Sequence, residues 1–181
     1  MTEVAEVAEE VPGEPAAPGA TVHGVLVSDS RGQEVLHPDR SDYVDLVERL
    51  RAEGYWMAVD LCGVDYLNTP GDRGLPVGVE PERFEVVVNL IDHRNRRRTR
   101  IRVQVPDDDP VVPSLFSVHP GLEASEREAH DLLGIVFSGH PDLSRILLPD
   151  DWVGHPLRKD SSIGRIPVQF KDPTASGGAR P

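Results

Sequence analysis

Between Glu123 and Asp160 this 181-residue chain concentrates side chains that do chemistry: EASEREAHDLLGIVFSGHPDLSRILLPDDWVGHPLRKD. On a helix Glu126 and His130 are four apart and share a face, as do Arg127 and Asp131. Joined by His119, His140 or His155, the first pair reads as a metal site, which would make the protein a metallohydrolase. The spacing argues against it: there is no H-E-x-x-H, no facial triad and no cysteine partner, Cys62 being alone. The plainer reading is surface ion pairing of Glu126 with His130 and of Arg127 with Asp131, each contributing ~0–1 kcal/mol. A third reading fits the charge density better. The face, Glu128 included, docks on a partner, where truncating one member of a buried pair costs roughly 2–5 kcal/mol.

Downstream come His140-Pro141-Asp142, Arg145, Trp152, His155-Pro156 and Arg158-Lys159-Asp160. Each proline keeps the residue before it extended. Trp152 has ~200 Å² to bury, up to ~5 kcal/mol by area. It either pins this segment to its own chain or anchors it to another subunit. Asp150, Asp151 and Asp160 beside Arg158 and Lys159 suggest a local charge network. Ser138-Gly139-His140 is not a nucleophile elbow, and no glycine-rich phosphate loop is present. The residues themselves point to no active site.

The elements that hold these side chains can be read from periodicity. Residues 1–20 combine Glu, Ala, Pro and Gly and are expected to be a disordered acidic tail. Residues 21–40 read as a short strand or a loop. Ser41 is placed to cap a helix to about Glu53, ended by Gly54. Alternation of Tyr55, Met57, Val59 and Leu61 predicts a strand, and Asn68–Pro81 a long irregular connection. Phe84–Ile91 and Thr99–Val105 form a hairpin, with Arg100, Arg102 and Gln104 on a solvated outer face. A short helix near Val112–Phe116 precedes a better one over Leu122–Leu133, stopped by Gly134. Strands and helices are segregated, so the fold class is α+β, one domain with an antiparallel sheet. Its domain spans 21–135, and 136–181 forms an extended C-terminal arm that docks on partner subunits.

Net charge is −12, and Glu3, Glu6, Glu9, Glu10 and Glu14 stand in a stretch without lysine or arginine. The run Arg94, Arg96, Arg97, Arg98, Arg100, Arg102 invites a nucleic-acid reading, but it lacks interleaved aromatics and any known module, so no nucleic acid is expected. A single cysteine excludes an intramolecular disulfide and a multi-cysteine cluster. No apolar run reaches the ~20 residues of a membrane span, so a soluble protein is expected, its membrane link made through a partner.

The blocks Glu126–Asp131, Leu132–Ile135, Gly139–Leu143, Arg145–Leu147 and Asp151–Asp160 resemble, in order, the signature of the C (30 kDa) subunit family of proton-translocating NADH–quinone oxidoreductase, respiratory complex I. Val59–Tyr66, Phe84–Val105 and Val112–Leu115 are similar to further segments of that family. Departures occur at Glu123-Ala124, where an Asn-Trp pair is common, and at His130 and Leu133, where aromatics are common. The resemblance implies a non-catalytic peripheral-arm subunit of a complex carrying electrons from NADH to quinone while translocating protons. It implies no cofactor in this chain: FMN, Fe–S clusters and quinone belong to partner subunits. The implied partners are the D, B and I subunits of complex I, on the cytoplasmic side of the membrane. The equivalent subunit of a membrane-bound hydrogenase, or of a reduced complex without the NADH module, is the nearest alternative. The interface candidates are Glu126, Arg127, Glu128, His130, Asp131, His140, Pro141, Asp142, Arg145, Trp152, His155, Pro156, Arg158, Lys159 and Asp160.

Overall fold

A computed structural model describes residues 19–69 and 72–161. The 21–40 stretch resolves into strands β1 (Thr21–Val22), β2 (Val25–Ser30) and β3 (Gln33–His37). They turn through the two-residue loops His23–Gly24 and Arg31–Gly32, whose φ values are all positive, the hairpin geometry that matches strand twist. Helix α1 (Tyr43–Ala52) follows, then β4 (Met57–Asp65), β5 (Phe84–Asp92) and β6 (Arg97–Val105). These six strands form one sheet in the order β1-β2-β3-β6-β5-β4, with β3–β6 parallel and the rest antiparallel. Strand β7 (Val111–Pro113), a 3₁₀ turn (Pro120–Leu122), helix α2 (Glu123–Leu133) and β8 (Val136–Ser138) complete the α+β fold.

One face of the sheet makes the core. Phe84, Val86, Val88 and Leu90 of β5 and Ile101, Val103 and Val105 of β6 are buried with Tyr43, Leu46, Val47 and Leu50 of α1. On the other side of each strand stand Glu85, Asn89, Arg100, Arg102 and Gln104. That face is not the solvated one expected from alternation. Arg102 grips Glu85 through Nε and Nη2 at 2.7 and 2.9 Å, and Gln104 Nε2 donates to the same carboxylate at 2.6 Å.

Three local expectations fail for identifiable reasons. Ser41 does not cap α1, because its hydroxyl donates to Asp42 Oδ1, and the N-cap residue is Asp42 itself. The strand expected over Tyr55–Leu61 starts later, and its register shifts between Ala58 and Asp60. That bulge turns Met57 and Val59 outward while Tyr55 and Leu61 are buried. The helix expected near Val112–Phe116 is instead β7, which pairs in parallel with β8 across α2. The segment read as an arm from residue 136 therefore begins as a paired strand and then runs to Ser161 in turns. Residues 1–18 and 162–181, which hold most of the acidic tail and the end of the arm, lie outside the described residues.

Candidate functional site

Helix α2 lies across β4 at Gly63, where an added Cβ would come within 2.5 Å of Leu133 Cδ1 and 3.1 Å of Ile135 Cδ1. The absent side chain lets helix and strand approach closely. Gly134 then ends the helix in the left-handed region, φ 76°, with its N–H bonded to His130 O.

A helix end leaves its last carbonyls without intrahelical partners. Here the following chain turns back and takes them in order. Asp131 O accepts from Arg145 Nη1 at 3.3 Å and from His155 Nδ1 at 2.9 Å. Leu132 O accepts from the N–H of Leu157 at 3.0 Å, and Leu133 O from Arg158 Nε at 2.7 Å. Arginine at this terminus also complements the negative end of the helix dipole. Residues 145–158 are thus built onto α2 by hydrogen bonds and contain no regular structure of their own.

Asp131 is the centre of that joint. Its side chain is fully buried; Oδ1 lies 2.5 Å from Arg145 Nη1, and Oδ2 accepts the N–H groups of Ile146, Leu147 and Leu148 at 3.1, 2.9 and 3.0 Å. Burial opposes ionisation, but the three backbone donors and the Arg145 guanidinium outweigh it and hold the carboxyl well below the usual range. The expected partner, Arg127, points elsewhere, to Ser144 Oγ at 2.9 Å, the carbonyls of Ser144 and Arg145, and Glu123 at 3.5 Å.

Glu126 is equally buried and faces away from His130. It accepts from Ser114 Oγ at 2.5 Å and from the N–H of Leu115 at 2.7 Å, with His140 Nε2 3.9 Å away. Burial pushes its carboxyl up, more than these donors and His140 pull it down. His140 gives Nε2–H to Glu123 O at 3.2 Å and takes the N–H of Asp142 at Nδ1. His130 Nδ1 donates to Ile135 O at 3.0 Å. Asp142 caps the turn to Ser144.

Farther along, Arg145 Nη2 holds the carbonyls of Trp152 and Gly154, so half-buried Trp152 is fastened through its backbone. The expected network of Asp150, Asp151 and Asp160 with Arg158 and Lys159 does not form among them; Asp160 and the Lys159 N–H join Arg83 and Asp65 of β4 instead. Asp65 accepts from Arg83 and from the Lys159 N–H at 2.8 Å, while Asp160 lies 2.8 Å from Arg83 Nη2. Burial works against ionisation of Asp65, but Arg83 and the N–H groups of Lys159 and Leu67 overcome it and lower its pKa. Arg158 stacks over Phe84, 5.0 Å from the ring centre.

Twelve of the fifteen candidates, all but Glu128, Pro141 and Pro156, make hydrogen bonds or ion pairs that tie α2 to β4, to the turn after β7 and to the turns after β8. Glu128, Pro141 and Pro156 are exposed. Sequence reasoning assigned no role to Ser114, Asp65 or Arg83. Asp65 and Ser114 lie in the Val59–Tyr66 and Val112–Leu115 blocks, but no pattern links them to partners far along the chain. Among the described residues no three of His, Cys, Asp and Glu converge as a metal cage. The joint carries an apolar outer edge: Leu147, Val153 and Leu157 are 61%, 94% and 55% exposed.

Residues 36–166 match the family described as respiratory-chain NADH dehydrogenase, 30 Kd subunit. The chain is 44% identical over 146 residues to the C subunit of the NADH-quinone oxidoreductase of Roseiflexus castenholzii, covering 79% of this chain and 78% of that one. With its Saccharopolyspora erythraea counterpart it shares 40% identity over 158 residues, 84% of this chain and 59% of the relative. It thus spans about three fifths of that relative's length. Among solved structures, a trypsin-resistant fragment of Nqo5 superposes with TM-score 0.59 at 33% identity, covering 66% of this chain and 90% of that one. A chain of the membrane-bound sulfane sulfur reductase, an archaeal respiratory membrane complex, shares the fold at TM-score 0.63 and 18% identity, covering 83% and 88%. The matched residues run from β3 through α2 to the end of the joint, and the chain belongs to the 30 kDa subunit family of respiratory-chain NADH dehydrogenase.

Proposed function

We propose that this chain is a non-catalytic subunit of an NADH–quinone oxidoreductase, placed in the peripheral arm on the cytoplasmic side and packed on the D subunit near the B and I subunits. It helps hold the quinone-reducing module together while the complex moves electrons from NADH through FMN and Fe–S centres to quinone and translocates protons. FMN, clusters and quinone are held by the partners.

The observation that carries this reading is the joint after α2. An irregular segment whose backbone is fixed by Asp131, Arg145, His155 and Arg158 presents Leu147, Val153 and Leu157 outward. Apolar side chains held out on a preorganised backbone suit docking, because little conformational entropy remains to be lost on association. No helix among the described residues is long and apolar enough to cross a membrane.

The test is to tag the N-terminus in the native host, extract membranes in mild detergent and identify what copurifies. The B, D and I subunits together with the flavin-bearing module are expected. Recovery of those three without that module would assign the chain to a complex with another electron donor, and recovery of the chain alone would overturn the proposal.

A further inference from the structure

On the sheet face opposite the core, a pocket of about 380 Å³ opens between β2, β5, β6 and the connection after β4. Three guanidiniums line it, those of Arg73, Arg100 and Arg102, against two carboxylates, Asp29 and Glu85. We propose that this pocket binds a carboxylate carried on a short methylene stem, such as a glutamate side chain or a small dicarboxylate.

The charges do not balance internally. Glu85 serves Arg102 at 2.7 Å and Arg73 at 3.4 Å, one carboxylate between two cations. Asp29 Oδ1 is occupied by the N–H of Gly32. Among the described residues Arg100 hydrogen-bonds neutral partners, Asn89 Oδ1 at 3.3 Å and Gln33 Oε1 at 3.1 Å. Two buried donors beside the pocket, Arg73 Nε and Gln33 Nε2, have no hydrogen-bond partner among the described residues. Buried donors of this kind are rare unless something else satisfies them.

Arg73 is also preorganised. Its guanidinium stacks on the Tyr66 ring at 3.7 Å, and Nη1 and Nη2 are tied to Glu82 O and Gln104 Oε1, both at 2.7 Å. A guanidinium held in place in this way can give its remaining Nε–H to a carboxylate with little loss of freedom. Val35 and Val87 supply the apolar wall for a methylene stem. One excess positive charge fits a single carboxylate better than a phosphate dianion.

Two sources offer that chemistry. One is a free dicarboxylate. The other is the chain itself: Gly19 packs against Pro76 and Val77, close in sequence to Arg73 and Gly74 of the pocket wall. The residues preceding it carry Glu3, Glu6, Glu9, Glu10 and Glu14 and no basic side chain.

The experiment titrates glutarate into the full-length chain and follows the guanidinium Nε–H resonances of Arg73, Arg100 and Arg102 by NMR. Saturable shifts at Arg73 and Arg100 are expected, weakened on the order of tenfold in Arg100→Gln, the scale of one charge-assisted contact. Asn89→Asp places a competing carboxylate beside Arg100 and should weaken binding equally without removing the arginine. A second chain carries Glu3→Gln, Glu6→Gln, Glu9→Gln, Glu10→Gln and Glu14→Gln. Tighter glutarate binding to it than to the native chain identifies the chain's own glutamates as the occupant; equal binding identifies a free ligand. Absence of shifts in both chains, or shifts unchanged in Arg100→Gln and Asn89→Asp, overturns the proposal.

Discussion

Asp131 and Arg145, fourteen residues apart, meet with Nη1 2.5 Å from Oδ1, and the other oxygen of the same carboxylate holds three consecutive backbone N–H groups. One buried side chain thus fixes both the guanidinium and the backbone that follows it. Asp131→Ala leaves Arg145 and three donors without their acceptor, and breaking a buried pair in this way costs about 3–5 kcal/mol. Urea unfolding of the two chains measures it.

The same carboxyl gives a pH signature. Its folded pKa lies below the unfolded value of about 3.9, so its contribution is fully present above that pH and fades as pH falls toward the folded value. The stability gap between the native chain and Asp131→Asn should hold constant from pH 7 to about 5 and narrow below about 4. A gap that widens on acidification would contradict the geometry.

Glu126 should behave in the opposite sense. Burial raises its folded pKa, so its contribution is greatest when it is protonated and declines as pH rises through about 4.3 toward the folded value. Glu126→Gln should therefore be more costly at pH 4 than at pH 7. Glu126→Ala strands the Ser114 hydroxyl and the Leu115 N–H and should cost about 1–3 kcal/mol at either pH.

Gly63→Ala tests how closely α2 sits on β4. The new methyl meets Leu133 and Ile135, and overpacking of this kind costs about 1–3 kcal/mol. Combined with Leu133→Ala it should be less damaging than the sum of the two, a coupling read from a double-mutant cycle by thermal or urea unfolding.

Gly134→Ala and Gly154→Ala separate backbone from packing. Both glycines have positive φ, 76° and 89°, so each alanine carries a backbone penalty of about 1–2 kcal/mol. Among the described residues the methyl would strike other groups at Gly134 and not at Gly154: the His155 ring at 2.7 Å and Arg158 Nη2 at 3.0 Å. Gly134→Ala should be the more destabilising by differential scanning calorimetry, and His155→Ala should reduce the difference.

How far these relationships could be read from the sequence depended on range. The alternation of Val86, Val88 and Leu90 with Ile101 and Val103 disclosed the β5–β6 hairpin, because period-two burial and a short turn are local signals. The same rule misplaced β4, since one extra residue between Ala58 and Asp60 reverses the phase. Val112 sits in a strand rather than a helix because its partner, Phe137, lies across α2. At the joint, the residue types of Glu126 and Asp131 were visible but their partners were not. Spacing of four on a helix pointed to His130 and Arg127, whereas burial turned both acids toward segments outside the helix.

The parallel pairing of β3 with β6 has a consequence for how the chain folds. Gln33 and Arg100, which meet across that seam, are 67 residues apart in sequence. The β1–β3 ribbon and the β4–β6 meander each close through nearby residues, whereas the seam requires a long loop to close first, an entropic barrier that local contacts do not relieve. Stopped-flow refolding should find the seam formed late, so that Leu36→Ala speeds unfolding far more than it slows folding.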